Sequence, residues 1–292
     1  MHVPVMLGEA LEYLAVEAGG TYLDATCGLG GHTAAIAARL TTGLVISNDR
    51  DAESLALAKS NTESWAERIR FHHGPFSRLP EALREAGATQ VDGLLADLGV
   101  SRFQLTDPDR GFSLMADGPL DMRMDRSQGE SAHDLINFTS ERNLADLIYQ
   151  LGEERRSRTI SRAIVRARPI HTTGHLARVV ERAVPRTGRL HPATLTFMAL
   201  RMAVNEEQDE LDRLLELAPS LVKSGGRIVV ISFMSLEDRK VKQSFQALGK
   251  SGRAIVLTRR VVIPSEQEIE ANPPSRSAKL RAVEMESGKQ EF

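Results

Sequence analysis

Tyr22-Leu23-Asp24-Ala25-Thr26-Cys27-Gly28-Leu29-Gly30-Gly31-His32 runs from a short apolar strand into a glycine-rich turn, and an alanine-rich helix, Ala34-Ala35-Ile36-Ala37-Ala38, follows from about Thr33. That order places the turn at the carboxyl edge of a parallel sheet, where open α/β folds bind their ligands. Glycines let the backbone approach a ligand closely, and the start of the helix offers free N–H groups. Alone, the turn serves equally as a tight strand-to-helix connection with no ligand. The next strand tips the balance: Leu44-Val45-Ile46-Ser47-Asn48-Asp49 ends in an acid. Asp49 stands about 20 residues past the turn, the interval at which a βαβ unit sets a carboxylate against ribose hydroxyls.

The alternation continues through a third strand, Ile69 to His73, a helix near Leu79 to Glu85, and a fourth strand from Val91 into Asp97-Leu98-Gly99. Strands that alternate with helices argue for a doubly wound parallel sheet. Asp97, at a strand's carboxyl end, then faces the same crevice as Gly28 and Asp49. After Leu105 strand-like runs stop. Helices are expected over Asn143 to Leu151, Glu154 to Arg168 and Thr173 to Val184, closed by Gly152, Pro169 and Pro185. One long helix is expected from Pro192 toward Leu217. The α/β pattern resumes with a strand over 225–233, a capping box at Ser235-Leu236-Glu237-Asp238, and two β-like runs, Ala254 to Val262 and Ala278 to Glu286, expected to pair as an antiparallel hairpin. The expected organisation is one α/β domain from 1–105 and 190–292, interrupted by an all-helical domain over 106–189.

Composition narrows the function. The chain has 292 residues and one cysteine, Cys27, which excludes a disulfide framework and a cysteine-based zinc cage. Packing is the simplest role for Cys27, and no metal is expected. No apolar run is long enough to span a bilayer, and no basic-then-apolar leader opens the chain, so a cytoplasmic location is expected. The net charge is only −2, but it is divided sharply. Between Arg155 and Arg189 ten arginines face one acid, Glu181, a net +9 that leaves −11 on the rest. An anionic partner accounts for such a division, and a solvated arginine-rich helical face is the plainer alternative.

The glycine turn lacks the third glycine of the dinucleotide pattern, since position 33 is Thr. A tight pyrophosphate approach is therefore not provided, and S-adenosylmethionine, which carries no phosphate, fits better. At this point the chain resembles a family, the bacterial 16S rRNA cytosine-N4 methyltransferases of the RsmH (MraW) type. The likeness covers nearly the whole chain. It rests on His2-x-Pro4-Val5-Met6-Leu7-x-Glu9, Asp24-Ala25-Thr26 with Gly30-Gly31-His32, Asp97-Leu98-Gly99-Val100-Ser101, and Arg110-Gly111-Phe112-Ser113 with Gly118-Pro119-Leu120-Asp121-Met122-Arg123-Met124. Gly152-Glu153-Glu154-Arg155, His191-Pro192-Ala193-Thr194, Ser232-Phe233 with Ser235-Leu236-Glu237-Asp238-Arg239, and Arg276-Ser277-Ala278 extend it.

The resemblance implies a Rossmann-like class I S-adenosylmethionine methyltransferase with an inserted helical domain for RNA recognition. It implies that Gly30, Gly31, His32, Asp49, Phe76, Asp97 and Gln104 bind the methyl donor. The target it implies is the exocyclic N4 of a cytidine in the decoding region of the small ribosomal subunit, methylated by a monomer or homodimer. Asp97 is the candidate catalytic acceptor, with base placement assigned to the Gly111-Phe112 and Leu120 to Arg123 loops. Arg155, Arg156, Arg158, Arg162, Arg166 and Arg168 are the candidate RNA contacts. The chain departs from the family pattern at Arg102-Phe103, Leu195, Met234 and Pro274, where the family has Ser-Pro, Arg, His and Arg. These departures leave open a shifted acceptor, or a member that holds ribosomal RNA without catalysis.

Overall fold

A computed structural model describes residues 4–186, 188 and 190–286; His2 of the first motif and Arg189 of the basic segment lie outside them. Seven strands form one sheet: β1 (Thr21–Asp24), β2 (Leu44–Asp49), β3 (Ile69–His73), β4 (Val91–Asp97), β5 (Val222–Ser232), β6 (Ala254–Val256) and β7 (Lys279–Met285), in the order β3-β2-β1-β4-β5-β7-β6. The first five strands are parallel, and β7 runs antiparallel to both β5 and β6. The fold is that of a class I methyltransferase, α/β with a mostly parallel sheet and an antiparallel carboxyl-terminal pair. Strand order reverses between β1 and β4, which opens a crevice beyond their carboxyl ends.

The run expected to pair from Ala254 to Val262 pairs over only three residues, plus an isolated bridge from Val262 to Leu280. The Thr258 hydroxyl accepts the Ala282 N–H at 2.9 Å, so a side chain takes over that rung and the strand peels away.

Both faces of the sheet are covered, as its apolar strands require. Leu23, Ile46, Leu94, Ile228 and Val230 pack on one side against Leu83, Leu211, Leu214 and Phe245. Tyr22, Val45, Leu95 and Val229 pack on the other against Leu11, Leu14, Ile36 and Leu40. Successive residues thus enter opposite cores, as period-two side-chain alternation dictates.

The chain divides into two units, Met1–Gly99 with Asp209–Phe292, and Val100–Gln208. The second is all helical among its described residues and builds its own core from Ile136, Leu144, Ile148, Ile160, Ile164, Leu176, Val180, Phe197 and Leu200. Its limits lie outside the expected 106–189 because helix Thr194–Val204 contributes Phe197 and Leu200 to that core. The single long helix expected from Pro192 is two helices, Thr194–Val204 and Glu207–Leu221. Glu206, with φ of 50°, breaks it. Asn205 fixes the break: its amide donates to the Met122 and Arg201 carbonyls and accepts the Met124 N–H, at 2.7, 2.8 and 2.7 Å.

Candidate active site at the carboxyl edge of the sheet

The glycine turn is held from below by buried polar groups. Asp24, with no exposed surface, accepts the Thr33 hydroxyl at 2.6 Å and the Thr26 N–H at 3.1 Å. The Thr33 and Ser47 hydroxyls lie 2.6 Å apart, linking helix Gly31–Ala37 to β2. Burial pushes Asp24 up to about 6. Gly30 adopts φ of 86°, and a side chain there would meet the Thr62 methyl at 2.7 Å. Only glycine suits both its conformation and its space. Cys27 is buried and burial raises its thiol, so it packs rather than reacts.

Asn48 ties three strand ends together. Its amide nitrogen donates to the Ala25 and Gly74 carbonyls, both at 3.1 Å, and its oxygen lies 2.8 Å from His72 Nδ1. Two carbonyls must face an NH₂, so the amide orientation is settled and Nδ1 of His72 carries the proton. This residue was not among the expected site residues. A polar pair, Ser47-Asn48, inside an otherwise apolar strand was its available signal.

Asp49 follows at the end of β2. Its two oxygens accept one backbone N–H each, Gly28 at 2.7 Å and Asp51 at 2.9 Å. Each carboxylate oxygen accepts more than one hydrogen bond, so acceptor capacity remains on both. Burial lifts its pKa to about 6 in spite of those donors. Phe76 opens the short helix after β3 and is partly buried on the sheet core. The Gly74 N–H donates to Asp49 O at 2.9 Å, which sets the Phe76 turn against the end of β2.

Asp97 ends β4, with its N–H donating to Thr26 Oγ1 at 2.6 Å. The imidazole of His32, 5% exposed, lies between Asp97 and the amino-terminal segment: Nε2 is 3.1 Å from the Val5 carbonyl and Nδ1 is 3.8 Å from Asp97 Oδ2. A carbonyl only accepts, so Nε2 carries the proton. The other Asp97 oxygen, Oδ1, is buried and has no hydrogen-bond partner. Burial, then the carboxylates of Asp24, Glu237 and Glu268, raise Asp97 well above the usual range. Glu237 accepts the Phe233 and Met234 N–H groups at 3.0 Å each, while Glu268 accepts the Met6 N–H at 2.6 Å. Met234 is the residue before helix Ser235–Lys250, so the cap carboxylate is Glu237 and the helix begins at Ser235 itself.

Gly30, Gly31, His32, Asp49, Phe76 and Asp97 thus belong to one edge of the sheet unit. Gln104 belongs to the helical unit, where it is buried and its oxygen accepts the Ser101 N–H at 2.8 Å in a capping box. The loops expected to place the base have a packing role. Phe112, Leu120, Met122 and Met124 are buried in the helical core, wrapped round Arg110. The Arg110 guanidinium donates to the Arg123 and Met124 carbonyls at 3.1 and 2.9 Å and lies about 6 Å from the Phe103 and Phe112 rings. Asp121 pairs with Arg123 at 2.8 Å.

The six candidate RNA arginines separate into two groups. Arg168 donates to the Ile136 and Thr139 carbonyls at 2.6 and 2.5 Å, and Arg156 reaches the Pro185 carbonyl at 3.0 Å and Glu154 at 3.4 Å. Arg162 lies 3.5 Å from Glu141. Arg155, Arg158 and Arg166 are exposed, and none has a partner among the described residues. The last two share with Arg162 the solvent face of helix Ser157–Ala167, opposite buried Ile160 and Ile164.

A doubly wound sheet with a glycine turn, an acid ending β2 and a second acid ending β4 defines a class I methyltransferase. The sequence profile of the MraW methylase family matches residues 1–286, and the chain belongs to that family. It is 66% identical to the ribosomal RNA small subunit methyltransferase H of Solibacter usitatus, over 98% of this chain and 100% of the relative. It is 51% identical to the protein of the same description in Acidobacterium capsulatum, over 97% of this chain and 98% of the relative. The methyl donor is S-adenosylmethionine, and the site suits it: the turn is open to backbone contact, Asp49 keeps acceptor capacity, and Asp97 Oδ1 lacks a partner. Among the described residues there is no group of side chains able to hold a metal, and no helix is long and apolar enough to cross a membrane.

Proposed function

We propose that this chain transfers a methyl group from S-adenosylmethionine to the exocyclic N4 of a cytidine in the decoding region of 16S rRNA, acting on the small ribosomal subunit in the cytoplasm. The observation that carries the reading is Asp97: a half-buried carboxylate at the sheet's carboxyl edge whose enclosed oxygen, Oδ1, is unsatisfied. The donor supplies an electrophilic methyl carbon on a sulfonium, which leaves as a neutral thioether. Gly30, Gly31 and His32 position it, Asp49 accepts from its ribose hydroxyls, and Phe76 lies beside its adenine.

The amine N4 is a poor nucleophile because its lone pair is delocalised into the ring, and it must lose a proton once methylated. The Asp97 carboxylate accepts an N4–H, keeps electron density on nitrogen and takes the departing proton. Its raised proton affinity favours that role. The cytidine must be unstacked to reach this edge, which favours a single-stranded or irregular RNA region. Arg155, Arg158 and Arg166 supply phosphate contacts.

The test is incubation of the protein with tritiated donor and small subunits that lack the modification, followed by nuclease digestion and mass spectrometry. Label at cytidine N4 is the expected result. Label on an adenine or a ring carbon would overturn the acceptor assignment, and tight RNA binding without label would overturn catalysis.

A further inference from the structure

The sheet unit carries a second recess, separate from the glycine turn. It lies between helix Ser235–Lys250 and the edge strand β6, with a volume of about 550 Å³. Lys242, Gln246 and Lys250 line its helix wall, while Arg259 lines the opposite one. Phe245 and Val256 give it an apolar floor, next to Ile255, which is 48% exposed.

Its charge is one-sided. Among the described residues no acidic side chain lines it. Lys242, Lys250 and Arg259 form no ion pair among the described residues. The fourth lining cation, Arg281, is already neutralised by Asp238, with contacts of 2.6 and 3.2 Å. Three unpaired cations above an apolar floor match a ligand that joins a phosphate to a flat apolar body. Cations take the phosphate, and the apolar floor takes the base.

The recess shares one helix with the site. The first turn of the helix that forms its wall carries Glu237, one of the carboxylates acting on Asp97. Lys242 lies five residues further on, roughly 7 to 8 Å along the axis, and Lys250 a further two turns or so. We propose that this groove holds the phosphodiester backbone and a base of single-stranded RNA flanking the methylated nucleotide. The inference rests on the reading of the chain as an RNA methylase.

The experiment uses the full chain and a charge-reversed double variant, Lys242→Glu with Arg259→Glu. Binding of unmodified small subunits and of inorganic phosphate is measured across a salt series, with donor affinity by calorimetry. Both substituted side chains are exposed, and unchanged donor affinity reports an intact fold. The expected result is subunit binding weakened about tenfold, with a log–log salt slope shallower by roughly 1.5, the release of two single-strand counterions. Lys242→Arg with Arg259→Lys should restore both. Unchanged subunit affinity and slope in the charge-reversed variant would sink the proposal, as would variant-sensitive binding of phosphate alone with none of RNA. A wild-type protein that binds subunits through these cations yet transfers no methyl group would support the groove while overturning the methyl-transfer reading.

Discussion

The two units handle charge in opposite ways. In the sheet unit, acids cluster at one edge with little or no exposure, so desolvation shifts Asp24, Asp49 and Asp97 toward their protonated forms. In the helical unit the arginines of the basic segment are mostly exposed, and Arg158 and Arg166 stand in solvent on one helix face. Buried charge at a sheet edge is expensive unless it is used, because desolvation penalises the ionised form. Exposed charge on a helix costs little and gains from any polyanion nearby. The contrast separates chemistry from grip: one unit concentrates reactivity in a few enclosed atoms, the other spreads affinity over a surface.

That separation breaks most directly at Asp97. Asp97→Asn should lower kcat by about 10² to 10⁴, the range for loss of a positioned proton acceptor. The wild-type rate should rise with pH through the elevated Asp97 pKa, because only the deprotonated acid accepts. The variant should lose that rise, and equal pH profiles for the two proteins in single-turnover assays would remove Asp97 from the mechanism. A smaller effect is expected from the other side of the contrast. Arg155→Ala, Arg158→Ala and Arg166→Ala combined should weaken subunit binding about tenfold and lower the salt slope by roughly 2, leaving kcat at saturating RNA unchanged. The same triple change at Arg156, Arg162 and Arg168 should instead lower the melting temperature, since Arg156 and Arg168 hold backbone carbonyls and Arg162 pairs with Glu141.

The smallest effect is on stability. Asp24 is pushed up from 3.8 to about 6, so the folded protein binds more protons than the unfolded chain between those values. Its contribution to stability is therefore greatest below about pH 4 and declines as pH rises toward 6. In urea titrations without donor, the stability of wild type relative to Asp24→Asn should fall across that window. A difference that rises with pH would show that Asp24 is stabilised as the anion.

Much of this architecture is visible in the chain because it is local. β2, β3 and helix Leu79–Glu85 match their expected limits, since apolar runs bounded by turn residues fix a strand or helix without distant help. Pairings across the chain are not visible in that way. Nothing near Asn48 announces that His72 and Gly74 complete its hydrogen bonds, and nothing near Arg168 marks it as a brace for the end of helix Ala132–Phe138. The break at Asn205-Glu206 escaped for the same reason: the apolar periodicity continues through it, while the groups that hold it are Met122 and Met124, far away in sequence. Phe112 looked available to a base because a loop aromatic beside a glycine resembles a binding residue, but the charge of Arg110 needed its ring.

Asn48 has a wider consequence for how such a pocket tolerates drift. Gly30, Gly31, His32, Asp49 and Phe76 stand at or just after the ends of β1, β2 and β3, and a single amide joins those three ends. A substitution at any one contact alters one interaction and leaves the others in register. A substitution at 48 would remove the three hydrogen bonds that tie the ends of β1 and β3 to β2, yet none of the proposed donor contacts. Change at that position would carry the pocket toward a different ligand shape in one step, whereas change elsewhere would only erode the present one.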